Sequence, residues 1–245
     1  MAEPSKLTQP YTSLFDCPEV QQFYHDLQRR NTDVNSDMVR RILKQLQPNT
    51  AQTYINILDI GCGQSPLLPH LLAQLPDSVS VHYTGIDSSE QMIVSCRQQY
   101  PSSGQLTSQF THMTIDALTR TDAFTAYDVI IVQNVVHLIL NRDELHQLCH
   151  LIMSRLAVGG VFYISTKLTV DIDDPTPLGN PDDQIYMVRK SAIDSATYPR
   201  RVFNRLLFHD LITSKFDPSA FHLTEFYLDD NIGNTFMNLI GCKTI

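Results

Sequence analysis

No two of the five cysteines, Cys17, Cys62, Cys96, Cys149 and Cys242, stand in a CxxC spacing. Scattered in this way they argue against a zinc site or a disulfide framework, and they suit a reducing cytosol. No apolar run is long enough to span a bilayer, and the opening Met-Ala-Glu-Pro-Ser-Lys lacks the apolar stretch of a signal peptide. A cytoplasmic protein without a membrane partner is therefore expected. Basic residues are in deficit as well: the formal net charge is -8, which argues against a surface that tracks nucleic-acid phosphates. The arginine pairs Arg29-Arg30, Arg40-Arg41 and Arg200-Arg201 read as solvated residues or members of local ion pairs. Internal repeats and low-complexity tracts are also missing. What is present is ordinary: 245 residues, 42% hydrophobic, enough for one large core in a single α/β domain.

The most informative stretch is Ile57-Leu58-Asp59-Ile60-Gly61-Cys62-Gly63-Gln64-Ser65-Pro66. Tyr54 to Ile60 is an apolar, β-branched run and reads as a buried strand. Gly61 and Gly63 allow a sharp turn and a close backbone approach to a ligand. Ser65 is expected to cap the next helix, with Pro66 at its first position. A strand that feeds a helix through glycines builds a nucleotide-type site. Two ligands are disfavoured by what the turn lacks. Pro66 stands where a dinucleotide fingerprint needs glycine or alanine, and no Gly-Lys-Ser/Thr follows. Asp59, just before the glycines, would repel a pyrophosphate but suit a ligand with a positive ammonium. S-adenosyl-L-methionine carries an ammonium, a sulfonium and a ribose.

Further strands follow in alternation with helices, the pattern of a parallel sheet covered on both faces. Val79 to Asp87 is a second strand ending in an acid, which can accept hydrogen bonds from both ribose hydroxyls. Ser88-Ser89-Glu90-Gln91-Met92 opens a helix. A third strand around Phe110 to Ile115 is expected to end at Asp116-Ala117. The fourth, Tyr127 to Val132, leads into Gln133-Asn134-Val135-Val136-His137. Leu156-Ala157-Val158-Gly159-Gly160-Val161-Phe162-Tyr163-Ile164 turns into a fifth.

Leu58-Asp59-Ile60-Gly61-Cys62-Gly63 resembles the first motif of the class I S-adenosylmethionine-dependent methyltransferases, and the later strands resemble its companions in the right order. The resemblance covers about Tyr54 to Thr166. The family often has a third glycine where this chain has Ser65. It implies a Rossmann-like α/β fold with a seven-stranded, mostly parallel sheet, an antiparallel C-terminal strand and helices on both faces. Phe221 to Leu228 and Phe236 to Lys243 would form the antiparallel pair at the sheet edge. The cofactor site implied is Asp59, Gly61, Cys62, Gly63, Asp87, Ser88, Met92, Asp116, Ala117 and Gln133. Met92 would pack on the adenine, and Asp116 would accept from its amine. Cys62 needs only to be small. Metal ligands are not expected.

Two segments remain for the methyl acceptor. Residues 1–50 read as an arm followed by two amphipathic helices, Pro18 to Arg30 and Ser36 to Leu46. Residues 168–197 read as an acidic, proline-bearing loop with little periodicity. Both are expected to close over the substrate as a lid on a single domain spanning 51–245. Asn134 and His137 leave strand four beside the expected methyl group, and Tyr11, Tyr24 and Tyr198 are candidates to line the pocket. His137 would serve as a base or, as the plainer reading has it, orient the substrate or satisfy a buried carbonyl. The Asp/Asn-Pro-Pro-Tyr/Phe signature of base and glutamine N-methyltransferases is missing after strand four, as are the carboxylates of metal-dependent catechol enzymes. The expected reaction is methyl transfer to a small-molecule N or O nucleophile by a monomer or homodimer. The alternatives are a non-catalytic module that holds the cofactor, and a methyltransferase acting on protein or RNA.

Overall fold

In a computed structural model, the structure describes residues 21–22, 25–26, 29–46, 53–121, 126–168, 176–178, 182, 184–189, 197–229 and 235–244. A helix, α1 (Thr32–Gln45), precedes the sheet. Then come β1 (Tyr54–Ile60), α2 (Leu68–Gln74), β2 (Ser80–Asp87), α3 (Glu90–Gln99), β3 (Leu106–His112), α4 (Ile115–Thr119) and β4 (Tyr127–Gln133). After a 3-10 turn over Val136–Leu138 follow α5 (Arg142–Arg155) and β5 (Leu156–Lys167). A second set comprises β6 (Thr176–Pro177), β7 (Ile185–Arg189) and β8 (Thr197–Arg201). The chain closes with α6 (Arg205–Leu211), β9 (Phe221–Asp229) and β10 (Thr235–Lys243).

The main sheet has seven strands in the order β3-β2-β1-β4-β5-β10-β9. β1 to β5 are mutually parallel, and β10 runs antiparallel to both β5 and β9. This is the sheet expected from the sequence, including its antiparallel edge pair. Strand side chains alternate between faces, so a strand buried on both sides must be apolar throughout. In β1, Ile55 and Ile57 join one core while Leu58 and Ile60 join the other. In β4, Val129 and Ile131 face the first, and Ile130 and Val132 face the second. Met38, Val39 and Ile42 of α1, Leu68 and Leu71 of α2, and Ile93 and Cys96 of α3 cover one face. Leu145, Leu148 and Ile152 of α5 with Phe208 and Leu211 of α6 cover the other. β1 has β2 on one side and β4 on the other. The strand order therefore reverses there, and a crevice opens at the carboxyl ends of these strands.

Four local expectations are corrected. Ser65 does not cap α2 and Pro66 does not begin it. The helix starts at Leu68 with Leu67 at the cap position, and Ser65 instead takes a left-handed φ of 53° inside the turn. The third strand stops at His112, because Thr114 caps a short helix by accepting from the Ala117 amide. Asp116 and Ala117 therefore lie on α4 and not at a strand end. The segment 168–197 is more than a loop: β6, β7 and β8 make a separate three-stranded antiparallel sheet. Finally, Arg200 and Arg201 are not solvated. They are 5% and 0% exposed. The reading holds for Arg40 and Arg41, both paired with Asp37 one helical turn away. No described helix is long and apolar enough to cross a membrane.

The turn after β1 is shaped by two glycines with different duties. Gly61 has φ +69°, and a Cβ placed on it would sit 2.3 Å from Cγ2 of Val135, so it lets the exit of β4 pack against the turn. Gly63 has φ +51° with open space where a Cβ would stand. Gly61→Ala thus meets both backbone strain and overpacking, and should cost about 2–4 kcal/mol of stability. Gly63→Ala meets only the backbone strain and should cost about 1–2 kcal/mol. Urea unfolding of the two variants checks the order; equal losses would refute this division.

Candidate functional site

The crevice at the strand-order reversal is organised by Asp87, the last residue of β2. Its Oδ2 accepts from the Gly63 amide at 2.9 Å, and its Oδ1 accepts from the Ser89 amide at 2.8 Å. One carboxylate therefore ties the glycine turn to the start of α3. Ser89 caps that helix by accepting from the Met92 amide at 3.2 Å. The Cys62 amide donates to the Ile86 carbonyl at 2.9 Å, a further tie between turn and β2. Beneath the turn lies Asp59, 3% exposed, whose Oδ2 accepts from the Tyr83 hydroxyl. Burial and, less strongly, the charge of Asp87 raise its pKa to about 7 against the pull of the Tyr83 hydrogen bond. Two acids thus share a site, with the Tyr83 hydroxyl and two backbone amides donating to them. Such a site favours an incoming positive charge and disfavours a pyrophosphate.

Several neighbours are structural. Cys62 is 2% exposed, and its contact with Cys96, together with burial, pushes its thiol well above the usual range. Ser65 lies 3.6 Å, Oγ to Sγ, from Cys96. Ser88 presents its carbonyl to Nε2 of His112 at 2.9 Å. Met92 is 3% exposed under the first turn of α3. Asp116 is half exposed and paired with Arg120 at 2.9 Å, while Ala117 is exposed on the same short helix.

The exit of β4 forms the other half of the site. Asn134 adopts φ 58°, and its amide donates to the Ser165 carbonyl at 3.0 Å. Its Oδ1 is buried without a hydrogen-bond partner. Gln133 and Asn134 line a small cavity of about 40 Å³ together with Asn31, Asn35 and Met38 from α1 and its entry, Ser165 of β5 and Asn238 of β10. α1 therefore covers this end of the sheet. His137 is 9% exposed on the 3-10 turn, on the same exit, and its Nδ1 lies 3.4 Å from the Thr166 hydroxyl. Tyr11 and Tyr24 lie outside the described residues. Tyr198 is on β8, in register with Val188.

A sequence-family model described as a methyltransferase domain matches residues 58–162. The chain thus carries a methyltransferase domain and the fold of S-adenosylmethionine-dependent methyltransferases. Its fold is shared with a S-adenosylmethionine-dependent methyltransferase from Clostridium acetobutylicum, at 13% identity and TM-score 0.57 over 85% of this chain and 90% of that one. A DhpI–SAH complex is similar at 12% identity and TM-score 0.60, covering 98% of each chain. The sugar N-methyltransferase KedS8 from Streptoalloteichus sp is similar at 14% identity and TM-score 0.57, over 90% of this chain and 93% of that one. Among curated protein sequences none matches significantly. The DhpI structures of this fold are complexes with SAH and with SAM.

Sequence reasoning missed the polar wall opposite Asn134. Asn35 sits in the apolar stripe of α1 with Met38, Val39 and Ile42, and is 6% exposed. A lone amide at a core-facing helical position was the available signal. Asn238 and Ser165, both 1% exposed, and Tyr83 carried none, because strand pairing alone brings them to the site.

Asp59 makes stability depend on pH. Its folded pKa of about 7 lies above the usual carboxylate value of 3.8, so the folded state holds a proton that the unfolded chain releases. Its contribution is full below that unfolded value and is lost as pH rises towards and through about 7. The Tm of the cofactor-free protein should therefore show a downward component between about pH 4 and 7 that Asp59→Asn removes. Thermal melts of both proteins across that range test this; parallel curves would remove the assignment.

Proposed function

We propose that this methyltransferase moves a methyl group to an N or O nucleophile of a small molecule. The observation that carries the reading is the covered, polar end of the crevice. α1 lies over the exit of β4, leaving a cavity of about 40 Å³ in which the amides of Asn31, Asn35, Gln133, Asn134 and Asn238 face an apolar wall of Val34, Met38, Leu228 and Phe236, with Asn134 Oδ1 unpartnered. Such a space admits a small polar group and not a folded macromolecule, since one water alone needs about 10–15 Å³. The net charge of -8 argues in the same direction against RNA. That KedS8, a protein of the same fold, is a sugar N-methyltransferase supports a small acceptor.

The residues present fit the cofactor. Gly63 leaves room for a ligand at the backbone of the turn, and the paired acids suit a cation. In this reading Asp59 and the turn residues Gly61, Cys62 and Gly63 hold the amino-acid tail. Asp87 and Ser88 hold the ribose. Met92, with Asp116 and Ala117, faces the adenine; Asp116 would then share its carboxylate with Arg120. Gln133 borders the tail, and Asn134 with His137 addresses the acceptor. The bound cofactor supplies a methyl on a sulfonium, which leaves as a neutral thioether and needs no acid. The chain's contribution is alignment and exclusion of water. His137 takes a proton from an acceptor that arrives protonated, or fixes its orientation through the bond to Thr166. Residues 1–50 and 168–197 act as the cover of the site in this proposal, and the protein works in the cytoplasm as a monomer or homodimer.

Asp87→Ala should weaken cofactor binding by about 1–3 kcal/mol in calorimetry and lower the melting point, because the same carboxylate holds two backbone amides. His137→Ala should lower turnover by about 100-fold with cofactor affinity unchanged. The assay is labelled S-adenosylmethionine against amines, hydroxy acids, phenols and sugars. Label in a small molecule supports the proposal. Label found only in protein or RNA from an extract replaces it, and cofactor binding with no transfer favours a non-catalytic module.

A further inference from the structure

Arg200 is 5% exposed, and among the described residues its one hydrogen bond runs from Nη2 to the Lys167 carbonyl at 3.4 Å. Its Nε is buried without a partner. None of the described ion pairs includes it. A guanidinium has five donors in a planar fork and stays charged at any physiological pH. Burying it without an anion is strongly unfavourable, so a buried arginine ordinarily has a carboxylate or phosphate opposite. Its neighbour in sequence is anchored differently. Arg201 points to the other side of β8 and donates to the Leu140 carbonyl at 2.5 Å, which ties the strand to the exit of the 3-10 turn that bears His137. β8 is thus held in place by Arg201, and Arg200 is carried with it to the end of β5. Lys167 follows Thr166, whose hydroxyl faces His137. The carbonyl that Arg200 meets thus belongs to the residue next to Thr166, at the end of β5.

We propose that Arg200 receives an oxyanion of the methyl acceptor, a carboxylate or a phosphate, so that the substrate is an acidic small molecule. This rests on the methyltransferase reading for its substrate, but the anion site itself does not depend on turnover. A negatively charged protein repels such a substrate at long range, and a desolvated guanidinium is the device that makes up for it at short range. The anion of the substrate completes the fork, and its nucleophile is left facing His137 and Asn134.

The test has two arms. In the first, the Tm of the protein with S-adenosylhomocysteine is followed as inorganic phosphate or acetate is added at constant ionic strength, with acetamide as the neutral control. The wild type should be stabilised by one of the two anions, and Arg200→Met should lose most of that shift; which anion acts tells carboxylate from phosphate. An equal shift in both proteins, or none in the wild type, overturns the proposal. In the second arm, acids and phosphates are compared with their amides and dephosphorylated forms as methyl acceptors. The wild type should prefer the anionic member by at least about ten-fold in kcat/KM. Arg200→Met should abolish the preference through KM, and Arg200→Lys should keep part of it. A uniform loss over charged and neutral acceptors would make Arg200 a strut between β8 and β5 and refute the proposal. Absence of transfer to every acceptor, with the anion shift intact, would overturn the enzymatic reading and leave the anion site standing.

Discussion

The site depends on one carboxylate. Asp87 stands at the end of β2 and accepts from the Gly63 amide with one oxygen and from the Ser89 amide with the other. Without it, a turn rich in positive φ and a helix start would each expose a backbone donor in a half-buried crevice. With it, the glycine turn, the second strand and α3 move as one body. The acid expected to address a ribose is therefore the same acid that shapes the cradle, and a carboxylate has lone pairs enough for both. In the proposed site, ribose binding and local stability meet in this single side chain.

Strain and buried polarity gather around the same crevice. Ser65 and Asn134 both have positive φ, although neither is glycine. Ser65 takes a left-handed conformation that glycine adopts more readily, and it does so wholly buried against Cys96. Asn134 holds its conformation through bonds from its amide to both oxygens of Ser165. Such conformations persist only where surrounding contacts over-determine them. Here those contacts come from strand pairing and from α1, so the two ends of the crevice are rigid although each is an irregular segment.

The fold was largely legible because a doubly covered parallel sheet demands continuous apolar strands, and β1, β4 and β5 supply them. The glycine turn and the acid after β2 were legible because few other residues permit those backbone shapes and charges. Other parts were hidden for definite reasons. β8 contains Pro199 and two arginines, which disguise a strand; it pairs only with β7 and forms no part of the main sheet. Met113 and Ile115 extend the spacing of a strand towards Asp116, but the cap by Thr114 diverts the chain into a helix first. Arg200 and Arg201 looked like solvent-facing charge because nothing local announces burial of a basic pair.

Apolar periodicity, two glycines and spaced acids determined the class of fold and the succession of strands and helices along its centre, because each acts through the backbone within a few residues. Tertiary structure alone decided which polar groups share the acceptor end. Asn35, Asn134, Ser165 and Asn238 come from four elements far apart in the chain. Arg200 reaches the same edge only because β8 folds onto the end of β5. Contacts of that range depend on how elements pack, and no local pattern encodes them.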